Sequence, residues 1–333
     1  MDCNRTRTGP ETCPTLNLTC KEPLRLVGGA SRCEGTLEAE LRGEWRRVWT
    51  YDYYPWDLEA AAAVCRGLDC GFPVSTEKRD ESDSKVWWFT TDCVKKESSA
   101  VKGCLSDYDS SESRLLQVIC SDSVRLVGGR SLCSGSLQIQ DQSLAQSWAG
   151  VCEGALDRRG AEVLCRELGC GAPLLQGALS PLGQTFHCEG NESKLMDCNR
   201  TRTGPGTCPT LNLTCKEPLR LVGGASRCEG TVEAELRGEW RRVVTSDPLW
   251  DLEAAAAVCR GLDCGSAVSA EERDESDRSK VWNVYTACVK QSSVKGCLYD
   301  VGSSYSLLQV ICSDLLNVPE VSVSEGVWAP RAE

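Results

Sequence analysis

The chain has 333 residues, 23 cysteines, one histidine and a formal net charge of −11. That acidity disfavours nucleic acid and anionic membrane as general partners, since both select for a basic face. So many cysteines, with one histidine and no paired C-x-x-C knuckles, exclude zinc sites and point to disulfides made in an oxidising, extracellular compartment.

Residues 1–22 nearly repeat residues 196–217, so Met1 corresponds to Met196 inside a domain. The stretch reads as the C-terminal stub of a truncated domain. Cys3, Cys13 and Cys20 are then left without partners, which accounts for the odd cysteine total. The polar start MDCNRTRTGP is no secretory signal, and no apolar run approaches the roughly 18 residues that span a bilayer. The sequence therefore reads as a fragment of a secreted or membrane-anchored protein.

Three units follow, each opening on a version of RLVGG, at Leu24, Val124 and Leu219. They are assigned to residues 23–121 with six cysteines, 122–216 with eight and 217–314 with six; residues 315–333 form a linker or tail. Every unit is organised around one stretch, DLEAAAAVCRGLDCG at Asp57–Gly71, repeated at Asp251–Gly265, with a divergent copy at Asp157–Gly171. It predicts a short helix: an Asp suited to the N-cap, a proline-free body, and glycines after the last turn. Cys65 lies on the helix and Cys70 beyond its end, so the two point apart and each must bond to a more distant part of the chain. Short apolar segments before and after the helix predict an α+β unit. Linkers of only a few residues predict that the units stack as a stiff rod.

Enzymology finds no support, because His187 is the single histidine and no Ser-His-Asp or Cys-His arrangement can recur across the units. Arg42, Arg46 and Arg47 flank the Trp of GEWRR and are echoed by Arg237, Arg241 and Arg242. They read either as a solvated strand face or as a meeting place for an anionic ligand. Trp49, Tyr51, Tyr53, Tyr54 and Trp56 form an aromatic run, and exposed Tyr and Trp anchor protein interfaces. With Arg46 and Arg47, the first four are the candidate ligand-binding residues. Glycosylation sequons occur at Asn4, Asn17, Asn191, Asn199 and Asn212, and none in either six-cysteine unit.

RLVGG at Arg125, GSLQI from Gly135, WAGVC ending at Cys152, AEVLCRELGCG from Ala161 and CEGNESKLMDC from Cys188 to Cys198 together resemble the scavenger receptor cysteine-rich (SRCR) domain of the eight-cysteine group. The alternation of unit types is similar to the macrophage haemoglobin-scavenger-receptor-like proteins of fishes. The resemblance implies tandem SRCR domains, each a curved sheet cradling one helix. For the middle unit it implies the bonds Cys133–Cys170, Cys152–Cys208, Cys165–Cys215 and Cys188–Cys198. It implies Cys33–Cys70, Cys65–Cys120 and Cys93–Cys104 in the first unit, and Cys228–Cys264, Cys259–Cys312 and Cys288–Cys297 in the third. The family's second and seventh cysteines are absent together from both six-cysteine units, replaced by Trp49 and Ser113 and by Val244 and Tyr305. Close packing predicts that one ring of each pair fills the vacated space, from opposite sides in the two units.

The resemblance also implies calcium, held in the middle unit by Glu153, Asp157 and Glu192, oxygen ligands of the right kind. However, Gly154 and Gly160 stand where the family usually has Asp, and Asp157 equally suits a helix cap. Asp57 and Glu97 match in the first unit, while Ser292 replaces the Glu in the third. The implied function is ligand binding outside the cell by a scavenger-receptor-like surface protein, in endocytic uptake or innate pattern recognition. The alternative is a lymphocyte-type coreceptor or adhesion ectodomain that binds another surface protein. The partners are a protein or a glycan or polyanion, and the membrane is reached only through a segment absent from this chain.

Overall fold

A computed structural model describes residues 22–51, 55–81, 85–96, 101–108, 113–141, 147–174, 179, 185–201, 208–247 and 250–313. The first domain begins with the antiparallel pair β1 (Leu24–Gly28) and β2 (Glu34–Leu41), where Leu37 and Ala39 point into the core and the alternating Glu38 and Glu40 do not. A turn at Arg42 and Gly43, with φ of 56° and 83°, leads into β3 (Glu44–Trp49). Two consecutive left-handed residues are what a two-residue hairpin turn requires, and Arg237 and Gly238 repeat the turn in the third domain.

Helix α1 (Leu58–Gly67) is capped by Asp57, whose side chain accepts from the Ala60 amide, and it buries Leu58, Ala60, Ala61, Val64 and Cys65. Its left-handed terminating residue is not the expected glycine. Asp69 takes that position, with φ 54°, and Asp263 in the third domain, with φ 57°; only the middle domain uses glycine, at Gly169. An Asp tolerates this conformation better than most residues with a Cβ. Strands β4 (Pro73–Glu81) and β5 (Val86–Phe89), helix α2 (Thr91–Lys96), the 3-10 turn Val101–Cys104, and strands β6 (Leu105–Tyr108) and β7 (Ser113–Cys120) complete the domain. The sheet runs β1-β2-β7-β3-β5-β6, with β4 also paired to β7.

The middle domain wraps helix α3 (Arg158–Glu167) with a five-stranded sheet and adds the small pair Phe186–His187 and Asn199–Arg200. The third domain repeats the first around α4 (Leu252–Gly261), with the short α5 (Thr286–Gln291). Its last two strands, Ala267–Val284 and Tyr299–Cys312, are far longer than the short segments expected. They continue beyond the core as an exposed, charged ribbon over Glu271–Lys280. The architecture is thus α+β, three tandem disulfide-stapled domains. Among the described residues no helix is long and apolar enough to cross a membrane.

The stiff-rod expectation is corrected. Gly71 donates to the Ser121 carbonyl at 2.7 Å and Phe72 to that of Val124 at 3.3 Å, and a Cβ on Gly71 would lie 2.2 Å from the Val124 oxygen. The short linker is therefore pinned into a bend. Trp148 Nε1 donates to Asp69 at 3.0 Å and Ser31 to Asp122 at 2.9 Å across the same junction. The chain folds back so that Leu58 of the first domain joins the apolar core of the third, and Lys295 of the third lies 4.9 Å above the Phe72 ring.

Candidate ligand-binding surfaces

Among the described residues ten disulfides join the pairs that the resemblance implies; in each domain one ties the helix to the last strand and another ties the segment just past the helix to the turn ahead of the second strand. Cys3, Cys13 and Cys20 lie outside the described residues.

Of the aromatic run, Trp49 and Trp56 belong to the interior, which removes Trp49 from the candidate ligand contacts. Trp49 packs with Val86 and Leu115 and stacks on Tyr108 at 4.9 Å. Tyr51 is half-buried, edge-on to Trp49 at 4.4 Å, and Tyr53 and Tyr54 lie outside the described residues. Register explains the burial. Trp49 opposes Leu115, as Cys152 opposes Thr210 in the middle domain, so Ser113 stands in relation to Trp49 as Cys208 does to Cys152. The indole occupies the place of the missing bond. In the third domain the expectation fails: Tyr305 is 52% exposed, with its ring 6.0 Å from the Arg278 guanidinium. There Tyr299 is buried, stacked on Tyr285 at 5.5 Å and accepting a hydrogen bond from Asn283 at 2.5 Å, and Asn283 is the strand partner of both Tyr299 and Val244.

The arginines are largely satisfied. Arg46 lies 4.1 Å over the Trp87 ring and pairs with Glu44 and with Asp107, the latter at 2.8 Å. Its guanidinium pKa is held above the usual value mainly by the Glu44 hydrogen bond. Arg241 repeats this over Trp282 at 3.9 Å with Glu239 and Asp300, and Arg242 binds Glu275 and Ser279. The anionic-ligand reading of Arg46 therefore loses its premise, a free cation. A shallow groove of about 410 Å³ remains beside these residues, lined by Glu38, Glu44, Trp45, Arg46, Arg47 and Lys85. Trp45 is 38% exposed with Arg25 stacked at 4.3 Å, and Trp240 with Arg220 reproduces both values in the third domain. In GEWRR the arginines carry the charge but the tryptophan is the accessible group, and the repetition of the motif in the third domain is the sequence signal for it.

A second cleft, about 400 Å³, opens between the first and third domains, with Trp56, Glu77, Asp80 and Arg114 on one wall and Arg237, Tyr299 and Asp300 on the other. No local motif announces it, because it exists only through the fold-back.

The three carboxylates proposed for calcium are not brought together. Asp157 caps α3 through the Gly160 amide at 2.8 Å, and Glu192 accepts from the Glu189 and Gly190 amides at 2.8 and 2.9 Å. Those amides hold the Glu192 pKa below the usual carboxylate value. Glu153 is exposed elsewhere, its amide bonded to the Pro209 carbonyl. Among the described residues, the potential ligand groups that converge are Glu59 with Cys288 and Cys297, and Glu192 with Cys188 and Cys198. In both, the sulfurs are tied in a disulfide and are not thiolates. Glu97 lies outside the described residues. Asn191, Asn199 and Asn212 are exposed, Asn212 accepting from Ser136 at 2.6 Å, while Asn4 and Asn17 lie outside the described residues. His187 is exposed, its Nε2 2.9 Å from the Thr201 hydroxyl.

The family model for the scavenger receptor cysteine-rich domain matches residues 27–121, 127–216 and 222–315. "CD5 antigen-like" of Homo sapiens is 31% identical over 283 residues, covering 75% of this chain and 79% of that protein. "T-cell differentiation antigen CD6" of Mus musculus is 32% identical over 292 residues, covering 78% of this chain and 42% of that protein. A crystal structure of CD5 domain III, 28% identical, covers 30% of this chain and 96% of that one with a TM-score of 0.24.

Proposed function

The chain belongs to the scavenger receptor cysteine-rich domain family, and from that premise we propose that it is the extracellular binding region of a scavenger-receptor-like surface protein, recognising a protein ligand without catalysis. The observation that carries the protein ligand is the groove at Trp45. It has charges of both signs and an indole accessible at its edge, whereas a polyanion site needs several cations free of carboxylate partners. Arg46 and Arg241 are already neutralised, and the chain as a whole is acidic.

A second reading, a lymphocyte-type coreceptor or adhesion ectodomain, draws on the relative named as a T-cell differentiation antigen. Both readings use the same extracellular protein contact and differ in what the contact triggers. The test immobilises the full chain and compares dextran sulfate with a panel of cell-surface ectodomains across a salt series. Binding of an ectodomain that weakens in Trp45→Ala supports the reading. Tight, steeply salt-dependent binding of dextran sulfate alone refutes it. The cytoplasmic sequence of the complete gene separates uptake from signalling.

A further inference from the structure

Helices α1 and α4 share the ten-residue sequence LEAAAAVCRG, yet their first turns have different surroundings. Leu58 is fully buried within the apolar core of the third domain, whereas Leu252, at the same position, is 52% exposed. What covers α1 is the 3-10 turn Lys295–Cys297 of the third domain. Gly296 approaches so closely that a Cβ there would meet Glu59 Cγ at 3.0 Å, and both Lys295 and Gly296 are buried.

The first domain carries the same Val-Lys-Gly-Cys turn at Val101–Cys104. There Lys102 and Gly103 are exposed, and a Cβ on Gly103 would meet nothing within 4 Å. The Lys295–Cys297 turn thus docks on α1 across domains, whereas the Val101–Cys104 turn touches α1 only within its own domain. The outer parts of a further copy of each half stay accessible: Leu252 on α4, and Lys102 and Gly103 on a turn whose first two amides are held by Glu22.

We propose that the first turn of α4 around Leu252 receives the Val101–Cys104 turn of a second copy of the chain, repeating between molecules the contact that Lys295–Cys297 makes on α1. The receiving helix is identical in sequence, and the incoming turn has the same four residues. Charge is complementary as well: Glu253, three-quarters exposed though it lies 3.3 Å from Lys290 of its own domain, flanks Leu252, and the turn delivers the exposed Lys102 cation. The two surfaces differ, so the contact is head-to-tail and yields rings or open chains rather than a symmetric dimer. It is weaker than its internal counterpart, because no tether raises the local concentration and because Lys295 also gains the Leu168 carbonyl at 2.5 Å.

The test is sedimentation velocity of the full chain over a concentration series after alkylation of free thiols. Concentration-dependent association is expected, weakened at least about tenfold by Leu252→Asp or by Gly103→Trp. Leu252 is half exposed and Gly103 has open space around it, so neither change disrupts the core. Mixing the two variants should restore association that stops at a 1:1 dimer, because each retains the half that the other has lost. If either variant unfolds, Lys102→Glu and Glu253→Lys replace them, each alone monomeric and the mixture associating. A parent chain that stays monomeric to its solubility limit, or mixtures that fail to pair, overturn the proposal.

Discussion

The Lys295 ammonium lies 2.5 Å from the Leu168 carbonyl and 4.9 Å from the Phe72 ring, so one buried cation of the third domain touches both of the others. Leu168 closes α3, where a cation meets the negative end of the helix dipole. Burial nonetheless pushes the Lys295 pKa down to about 7, against the pull of Glu217. The unfolded chain keeps this proton up to its ordinary value of 10.5, so folding releases it in between. Stability therefore rises as pH climbs from about 7 to 10.5 and is lost on the way down. Lys295→Met should flatten that slope and raise the melting temperature at neutral pH, as calorimetry over a pH series reads. An unchanged slope would place the titration elsewhere.

Asp57 and Asp251 cap helices of identical sequence and should respond to pH with opposite sign. Asp57 is buried beside Lys95 at 2.5 Å, and desolvation raises its pKa from 3.8 to about 6. Its stabilising contribution is full below 3.8 and is lost as pH rises through 6. Asp251, open to solvent, is held below the usual value by its hydrogen bond from Lys290, so its contribution appears above 3.8 and is lost as pH falls. Asn keeps the cap acceptor at either site. Asp57→Asn should thus remove a fall in stability with rising pH, and Asp251→Asn a gain. Chemical denaturation from pH 3 upward, at about half-unit steps, compares the slopes; equal slopes would contradict the difference in burial.

These pairs show why part of the structure was legible and part was not. Helix position, its Asp cap and the alternation in β2 are local, written within windows of about ten residues. The cysteine spacing carried the family and, through it, the bonding pattern. Leu58 and Leu252 share their local sequence and differ only in what a distant domain places against them. The fold-back and the cleft at Arg237 belong to that same contact between domains. Trp45 was within reach of sequence reading; the burial of Tyr299, set by a strand register with no signal in the sequence, was not.

Glu192 should act on its own loop rather than on a cation. Its carboxylate holds two amides of the Cys188–Cys198 loop, and Arg166 donates to the carbonyls of Gly190 and Glu192 at 3.0 and 2.7 Å. Glu192→Gln weakens acceptance by removing charge, so amides 189–190 should exchange faster, equally with and without millimolar calcium. A calcium-dependent rise in melting temperature that vanishes in this variant would restore a metal site.

Trp49 stands at the place of the disulfide that the first domain lacks. In the middle domain the Cα atoms of Cys152 and Cys208 are 5.6 Å apart, and Trp49 and Ser113 hold the same places in the ladder. Losing a native disulfide costs about 2 to 5 kcal/mol, and burying a tryptophan is of similar size, since its truncation typically costs about 3 to 5 kcal/mol. The two effects therefore offset, and the six-cysteine domain keeps the sheet without the bond. Trp49→Ala should destabilise the first domain by roughly 3 to 5 kcal/mol, because Val86, Leu115 and Tyr108 would line the cavity left behind. Trp49→Cys with Ser113→Cys should oxidise without assistance, as a shift in non-reducing mass spectrometry after peptide digestion. In the third domain Val244→Ala should cost less, since a smaller side chain is lost and Tyr299 remains stacked on Tyr285. Should the double-cysteine pair stay reduced in air while Trp49→Ala is nearly neutral, the indole is not the replacement for the bond, and the first domain must compensate through another part of its core.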